Sequence, residues 1–169
     1  MWDGWLLVVA VGMAAFGACI ALFNRSLLFD GFNAQINPVF WPGSAADASA
    51  RAFQGWVYGV WGATVAGFGG LAAFLVRGPY RARVRWARDG LAAAIAVWFV
   101  LDTGVSAWYG VWFNVAFNSV VLLALAVPVA ATWREFGGRG EEGGLGGRFT
   151  VESVVRRRGG LAQRWEEPC

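Results

Sequence analysis

Four long apolar blocks set the limits on what this 169-residue chain can fold into. They cover residues 5–23, 55–76, 91–112 and 113–133. Each is about 20 residues long, which is the length that an α-helix needs to cross roughly 30 Å of hydrocarbon. None of the blocks alternates strictly between apolar and polar residues, so a transmembrane β-barrel is not expected. The blocks therefore predict an all-α membrane protein built as a four-transmembrane-helix bundle.

The composition supports this class and narrows the chemistry. Charged residues make up 15% of the chain, whereas a soluble domain carries about 25%. The sequence holds no histidine and no lysine, which removes the commonest metal ligand, the commonest general base and any Schiff-base chemistry. We therefore expect no catalytic residue, no metal, no cofactor and no nucleic-acid partner.

The loops differ in charge, and this difference predicts the topology. The link over residues 77–89 holds five arginines and a single acid, Asp89, and the tail after Trp133 holds seven arginines. The loop over residues 24–54 is neutral. Because short basic loops stay cytoplasmic, we expect an amino-in, carboxyl-in protein. Its span count and length are similar to those of many small prokaryotic proteins of the inner, cytoplasmic membrane, where we expect it to lie.

The chain divides into a membrane domain over residues 1–135 and a Gly/Arg-rich cytoplasmic tail over residues 136–169, which we expect to be mostly disordered. The outer loop contains turn signals at Asn37-Pro38 and Trp41-Pro42-Gly43. Ser44 and Asp47 resemble a capping box, which predicts that a helix begins at Ala45. The bilayer is the expected partner, with anionic lipid near the arginines from Arg77 to Arg88.

Small residues recur every four positions in two of the blocks. The second block shows Gly55, Gly59, Ala63 and Gly67 with a neighbouring row of Gly62, Ala66 and Gly70, and the first shows Ala10, Ala14 and Ala18. Such rows let helix backbones approach closely in lipid. They favour contact between the first and second spans, and a dimer face is the alternative.

Asp102 is the only Asp, Glu or Arg inside any block, and a carboxylate at membrane depth is a functional-site hypothesis. Counted from Trp112, it lies about 15 Å below the outer surface, at the depth of Thr64. Ser106 and Tyr109 follow it on the same helical face. The candidate ligand- or ion-binding site has six members: Asp102, Thr64, Ser106, Tyr109, Asn114 and Asn118. We expect either a pocket open to the outside under the loop or interhelical hydrogen bonding alone.

Three functions are compatible with these features. The favoured one is a non-enzymatic accessory or assembly subunit, working as a homo-oligomer or within a larger membrane complex. The second is a small oligomeric protein that binds or transports a ligand, an ion or a proton through Asp102. The third, less favoured, is a membrane enzyme acting on lipid or quinone, in which Asp102 works with Tyr109 or Tyr58.

Overall fold

The computed structural model describes residues 1–44 and 46–137, and this part of the chain is helical without strands. The five α-helices are α1 (Trp2–Phe23), α2 (Asp30–Phe40), α3 (Ala48–Leu75), α4 (Arg85–Trp108) and α5 (Trp112–Thr132). All but α2 are long and apolar enough to cross a membrane, as the four blocks predict. The tail beyond Gly137 lies outside the described residues.

The start of α3 differs from the predicted capping box. The helix begins at Ala48, and the carboxylate of Asp47 caps it by accepting a hydrogen bond from the Ala50 N–H at 2.7 Å. The prediction of a Ser44 cap is therefore wrong, because Asp47 itself supplies the oxygen that an unpaired first-turn N–H needs. This bond lowers the pKa of Asp47 below its usual value.

The two turn signals in the loop over residues 24–54 have different outcomes. Pro38 lies inside the last turn of α2, so the prediction of a turn at Asn37-Pro38 is wrong. A proline there removes one helical hydrogen bond, and α2 ends soon afterwards at Phe40. The turn at Trp41-Pro42-Gly43 is confirmed: Gly43 has a φ of +75°, and the Ser44 N–H donates to the Trp41 carbonyl at 3.4 Å.

A tight turn joins α4 to α5, but it begins earlier than the apolar block predicts. Gly110 has a φ of +74°, the Val111 N–H donates to Ser106 O at 2.8 Å, and the Gly110 N–H donates to Ala107 O at 3.1 Å. These are the two bonds of a Schellman motif. Because the glycine stops the helix, α4 ends at Trp108 and not at Trp112, which belongs to α5.

Glycines bring α1 and α3 into backbone contact. A Cβ built on Gly62 would lie 2.5 Å from the backbone nitrogen of Ala21, and one on Gly69 would lie 2.5 Å from that of Ala14. Gly17 on α1 faces the backbone of α3 in the same way. The small residues therefore mediate contact between the first two spans, the interpretation that the sequence favours. Gly67 and Gly70 have no such neighbour.

The remaining helices extend this pair in one direction only. α1 also packs on α5, and α5 packs on α4, whereas α3 and α4 do not form a packed interface of this kind. The order around the bundle is therefore α3, α1, α5, α4. This arrangement leaves one side of the bundle open between α3 and α4.

One end of the bundle, which we call the arginine end, carries Trp2, the connection from Val76 to Val84, and Phe136. There the guanidinium of Arg83 makes two bonds to Asp3, at 2.9 and 3.0 Å, and an ion pair with Glu135 at 2.5 Å. The first of these contacts raises the pKa of Arg83. The opposite end, which we call the α2 end, carries α2 and the turn at Gly110.

At the arginine end α5 contains a proline, Pro128. Proline has no N–H, so the carbonyl of Ala124, one turn earlier, lacks its helical donor. The indole Nε1–H of Trp5 on α1 donates to that carbonyl at 2.9 Å. α1 therefore supplies the hydrogen bond that the proline removes from α5.

Candidate functional site

Asp102 on α4 is the centre of a hydrogen-bonded cluster between α4 and α5. Its Oδ1 accepts from Asn114 Nδ2 at 2.8 Å and from Asn118 Nδ2 at 2.9 Å. The hydroxyl of Ser106 donates to the Asp102 carbonyl at 2.7 Å and receives a bond from Asn114 at the same distance. The structure therefore brings four of the six predicted residues together.

Thr103 joins this cluster, although the sequence did not indicate it. Its Oγ1 accepts from Asn118 Nδ2 at 3.2 Å. Helical spacings of three, four and seven identify residues on the same face as Asp102. Thr103 directly follows Asp102 and therefore falls outside that pattern. It takes part because Asn118 lies against the side of α4 that both residues border.

Thr64 and Tyr109 lie near the cluster without hydrogen bonds to it. The hydroxyl of Thr64 donates to Val60 O of its own helix at 3.0 Å, and Thr64 lines the same cavity as Asp102 and Asn118. Tyr109 is 59% exposed and contacts the ring of Phe40 at a centroid distance of 6.1 Å. Both are therefore wall residues of cavities and not members of the hydrogen-bonded cluster.

Asp102 lies nearer to the end of its helix than the sequence predicts. Because α4 ends at Trp108, six residues separate Asp102 from the helix end, which corresponds to about 9 Å of rise. The expected 15 Å was counted from Trp112, which lies on the next helix. The cluster consequently lies closer to the α2 end of the bundle.

Two apolar cavities meet at Asp102. The smaller has a volume of about 210 Å³ and lies under α2, and the larger has a volume of about 590 Å³ and is lined by α1, α3, α4 and α5. Trp61 of α3 and Asp102 of α4 line both. These two side chains therefore mark the boundary between the two cavities.

Aromatic rings hold α2 over the smaller cavity. The ring of Phe32 lies 5.2 Å from that of Phe113, 6.0 Å from that of Tyr58 and 6.4 Å from that of Trp61, measured between centroids. Next to them, Gln54 Nε2 donates to Asn37 Oδ1 at 2.7 Å. These contacts make α2 a cover for the α2 end of the bundle.

The site combines a cluster of hydrogen-bonded polar side chains with the apolar walls of two cavities. Both carboxamide donors, from Asn114 and Asn118, are directed at one oxygen of Asp102. Within residues 1–44 and 46–137 no three His, Cys, Asp or Glu side chains group as metal ligands would. The arrangement can join α4 to α5 and can present apolar surface to a ligand.

Comparison with known proteins gives no further constraint, since no protein-family profile, curated protein or solved structure matches this chain.

Proposed function

We propose that this chain is a non-enzymatic multi-pass membrane protein that binds a lipid molecule along the open side between α3 and α4. The observation that carries the proposal is the larger cavity, with a volume of about 590 Å³ and walls from four helices. Pockets for small molecules measure roughly 300–1,000 Å³ and are mostly apolar. A hydrocarbon chain fits both the size and the character of this one.

The packing of the helices supports a lipid as the ligand. Because α3 and α4 do not pack together, the cavity faces sideways, in the direction from which a bilayer lipid would enter. Its walls include Val65 and Phe68 of α3, Val97 of α4 and Phe117 of α5. Asp102 and Asn118 also line it, and their mutual hydrogen bond joins α4 to α5.

The orientation in the membrane is part of the proposal. The arginine end carries Arg77, Arg81, Arg85 and Arg88, and positive loops stay cytoplasmic. The α2 end would then face the outside of a prokaryotic inner membrane. In a cysteine-free background, an impermeant maleimide added to intact cells should label Ser44→Cys but not Ala82→Cys; the opposite pattern overturns the orientation.

The lipid-binding proposal is tested by filling the cavity. Ala94 lines it, whereas Ala96 on the same helix is exposed and does not. We expect native mass spectrometry of wild-type protein extracted from membranes to show retained lipid. Ala94→Trp should lose that lipid and Ala96→Trp should keep it. Equal retention in both variants, or none in the wild type, would refute the proposal.

The accessory role expected from the sequence is the second candidate. It is favoured because the hydrogen bonds of Asp102 join two helices of the same chain, which is a structural use of the carboxylate. Such a role predicts a stable complex with another membrane protein, which cross-linking in intact membranes would reveal. An ion or proton site at Asp102 is tested by Asp102→Asn, which should abolish any pH-dependent transport in proteoliposomes.

A further inference from the structure

A polar pocket of about 400 Å³ lies at the α2 end, beside the apolar cavities. Two arginines, Arg25 and Arg51, line it together with one acid, Asp30. Polar and charged side chains of α2 and α3 form much of its wall. It therefore differs in chemistry from the two apolar cavities.

The side chain of Arg25 occupies the space that a side chain at position 55 would fill. A Cβ built on Gly55 would lie 2.8 Å from Nε and 3.1 Å from Nη2 of Arg25, so the guanidinium rests directly on the backbone of α3. Among the described residues it forms no ion pair. The guanidinium of Arg25 is therefore available to an anionic ligand in the pocket.

Two further groups can bind an anion beside Arg25. Arg51 is kept at the pocket by a bond from Nη1 to the Ala46 carbonyl at 2.8 Å. The Tyr58 hydroxyl accepts from Gln54 at 3.2 Å, and no acceptor for its own hydrogen occurs in residues 1–44 and 46–137. Two guanidinium groups and one hydroxyl donor suit a phosphate.

The same pocket also carries acceptors, which suit a hydrogen-bond donor. The carboxylate of Asp30 lines it, and so does Asn33, whose Oδ1 is buried without a hydrogen-bond partner among the described residues. Buried polar atoms are nearly always paired. A cationic donor placed beside Asp30 and Asn33 would complement both groups.

Tyr58 lies between the polar pocket and the smaller apolar cavity. It lines the polar pocket and the smaller apolar cavity, which in turn shares Trp61 and Asp102 with the larger one. The sequence of environments is therefore charged, then apolar, then apolar. This is the order of groups along a phospholipid, from its head to the end of its chain.

We propose that the polar pocket binds the head group of phosphatidylethanolamine, with the phosphate at Arg25, Arg51 and Tyr58 and the ammonium at Asp30 and Asn33. The inference rests on the proposed lipid-binding function and names its ligand. The ammonium of ethanolamine donates hydrogen bonds, whereas the choline of phosphatidylcholine carries no N–H. The pocket therefore selects between two zwitterionic lipids that have the same phosphate.

The test is competition between lipids for the full-length protein. Wild type is reconstituted in nanodiscs holding equal amounts of phosphatidylethanolamine, phosphatidylglycerol and phosphatidylcholine, and retained lipid is read by native mass spectrometry. We expect phosphatidylethanolamine to exceed phosphatidylcholine by about tenfold, the equivalent of one charge-assisted hydrogen bond. Equal retention of these two, or an excess of phosphatidylglycerol, overturns the head-group assignment.

Three variants locate the contacts. The double variant Arg25→Gln/Arg51→Gln should lower phosphatidylethanolamine retention about tenfold. Gly55→Ala should lower it severalfold, because the added methyl displaces the Arg25 side chain. Asn33→Leu should remove the preference over phosphatidylcholine. The control is Arg81→Gln, an exposed arginine at the arginine end, which should change nothing.

The outcomes separate the two proposals. Lipid that is retained, is lost in Ala94→Trp, but is insensitive to Arg25, Arg51 and Gly55 overturns the head-group site and leaves lipid binding in place. A wild type that retains no lipid overturns both. Folding of each variant is followed by its thermal unfolding, and Gly55→Ala still tests the Arg25 contact if the double arginine variant fails to fold.

Discussion

The carboxylate Oδ1 of Asp102 on α4 accepts a hydrogen bond from Nδ2 of Asn118 on α5 at 2.9 Å. The same aspartate borders both apolar cavities, and Asn118 borders the larger. The bond that joins the two helices is therefore also part of the wall of the proposed lipid site. A change at either residue should affect both helix packing and lipid retention.

Two substitutions of Asp102 should differ in their effect on stability, because one removes its hydrogen-bond acceptors and the other removes only its charge. Asp102→Leu leaves Asn114 and Asn118 without their acceptor, and interhelical hydrogen bonds in membranes are worth about 0.6–1.7 kcal/mol each. We expect it to lower the free energy of unfolding in micelles by roughly 1–3 kcal/mol. Asp102→Asn keeps one acceptor oxygen and should cost less.

A double-mutant cycle between Asp102 and Asn118 measures their coupling directly. We expect a coupling free energy of about 1 kcal/mol. The control is Ser119→Ala, because the Ser119 hydroxyl donates to Val115 O within its own helix. Additive losses at Asp102 and Asn118 would show that the bond does not join the helices.

Alanine substitutions of glycines in α3 should depend on which way the glycine faces. Gly62→Ala places a methyl 2.5 Å from the backbone nitrogen of Ala21. Because the backbone cannot move aside, we expect the free energy of unfolding to fall by about 1–3 kcal/mol. Gly67 has open space around it, so Gly67→Ala should be neutral or should stabilise by up to about 1 kcal/mol. Thermal unfolding in detergent distinguishes them, and equal effects would contradict the described α1–α3 interface.

The Trp5 bond should matter only while Pro128 is present. Trp5→Phe removes the donor to Ala124 O and should cost about 1 kcal/mol. In a Pro128→Ala background the new backbone N–H can bond to that carbonyl, so the same substitution should cost less. Trp86→Phe, at an exposed tryptophan of the same end, is the control. An unchanged cost in the proline-free background would mean that the indole stabilises through packing alone.

Acid should weaken the cap of α3. The bond from the Ala50 N–H lowers the pKa of Asp47 below its usual 3.8, so the folded state prefers the charged carboxylate. Its stabilising contribution is full above the usual value and is lost as the pH falls through the lowered one. Asparagine caps helices equally well without titrating. We therefore expect Asp47→Asn to lose less stability than wild type below about pH 3.8, and parallel pH profiles would contradict this account.

The spans could be predicted because hydrophobic length is a local property of the sequence. The exact ends of the helices could not be predicted, since each end depends on short-range hydrogen bonds that compete with apolar patterning. At the α4–α5 turn, Gly110 adopts a positive φ and ends the helix before the apolar block does. At the start of α3, Asp47 caps the helix in preference to Ser44.

The cluster could be predicted in part for a similar reason. Asp102, Ser106, Asn114 and Asn118 share helical spacings and depth, and these properties can be counted along the sequence. The neighbouring Thr103 could not be found in this way, because its part depends on the rotation of α5 against α4. The sequence also predicts a pocket under the loop over residues 24–54, and the smaller cavity lies under α2 of that loop. The larger cavity was not predictable, since it arises from helices that do not pack, which no single segment encodes.

The most direct test of lipid binding is to map where a lipid chain touches the protein. A phosphatidylethanolamine with a diazirine near the end of its chain is incorporated, activated by light, and the adducts are located by peptide mass spectrometry. We predict that adducts concentrate on residues of the larger cavity, such as Val65 and Phe117, and decrease in Ala94→Trp. Adducts spread equally over exposed positions of α5, such as Val120 and Leu123, and unchanged by that substitution would contradict the lipid site.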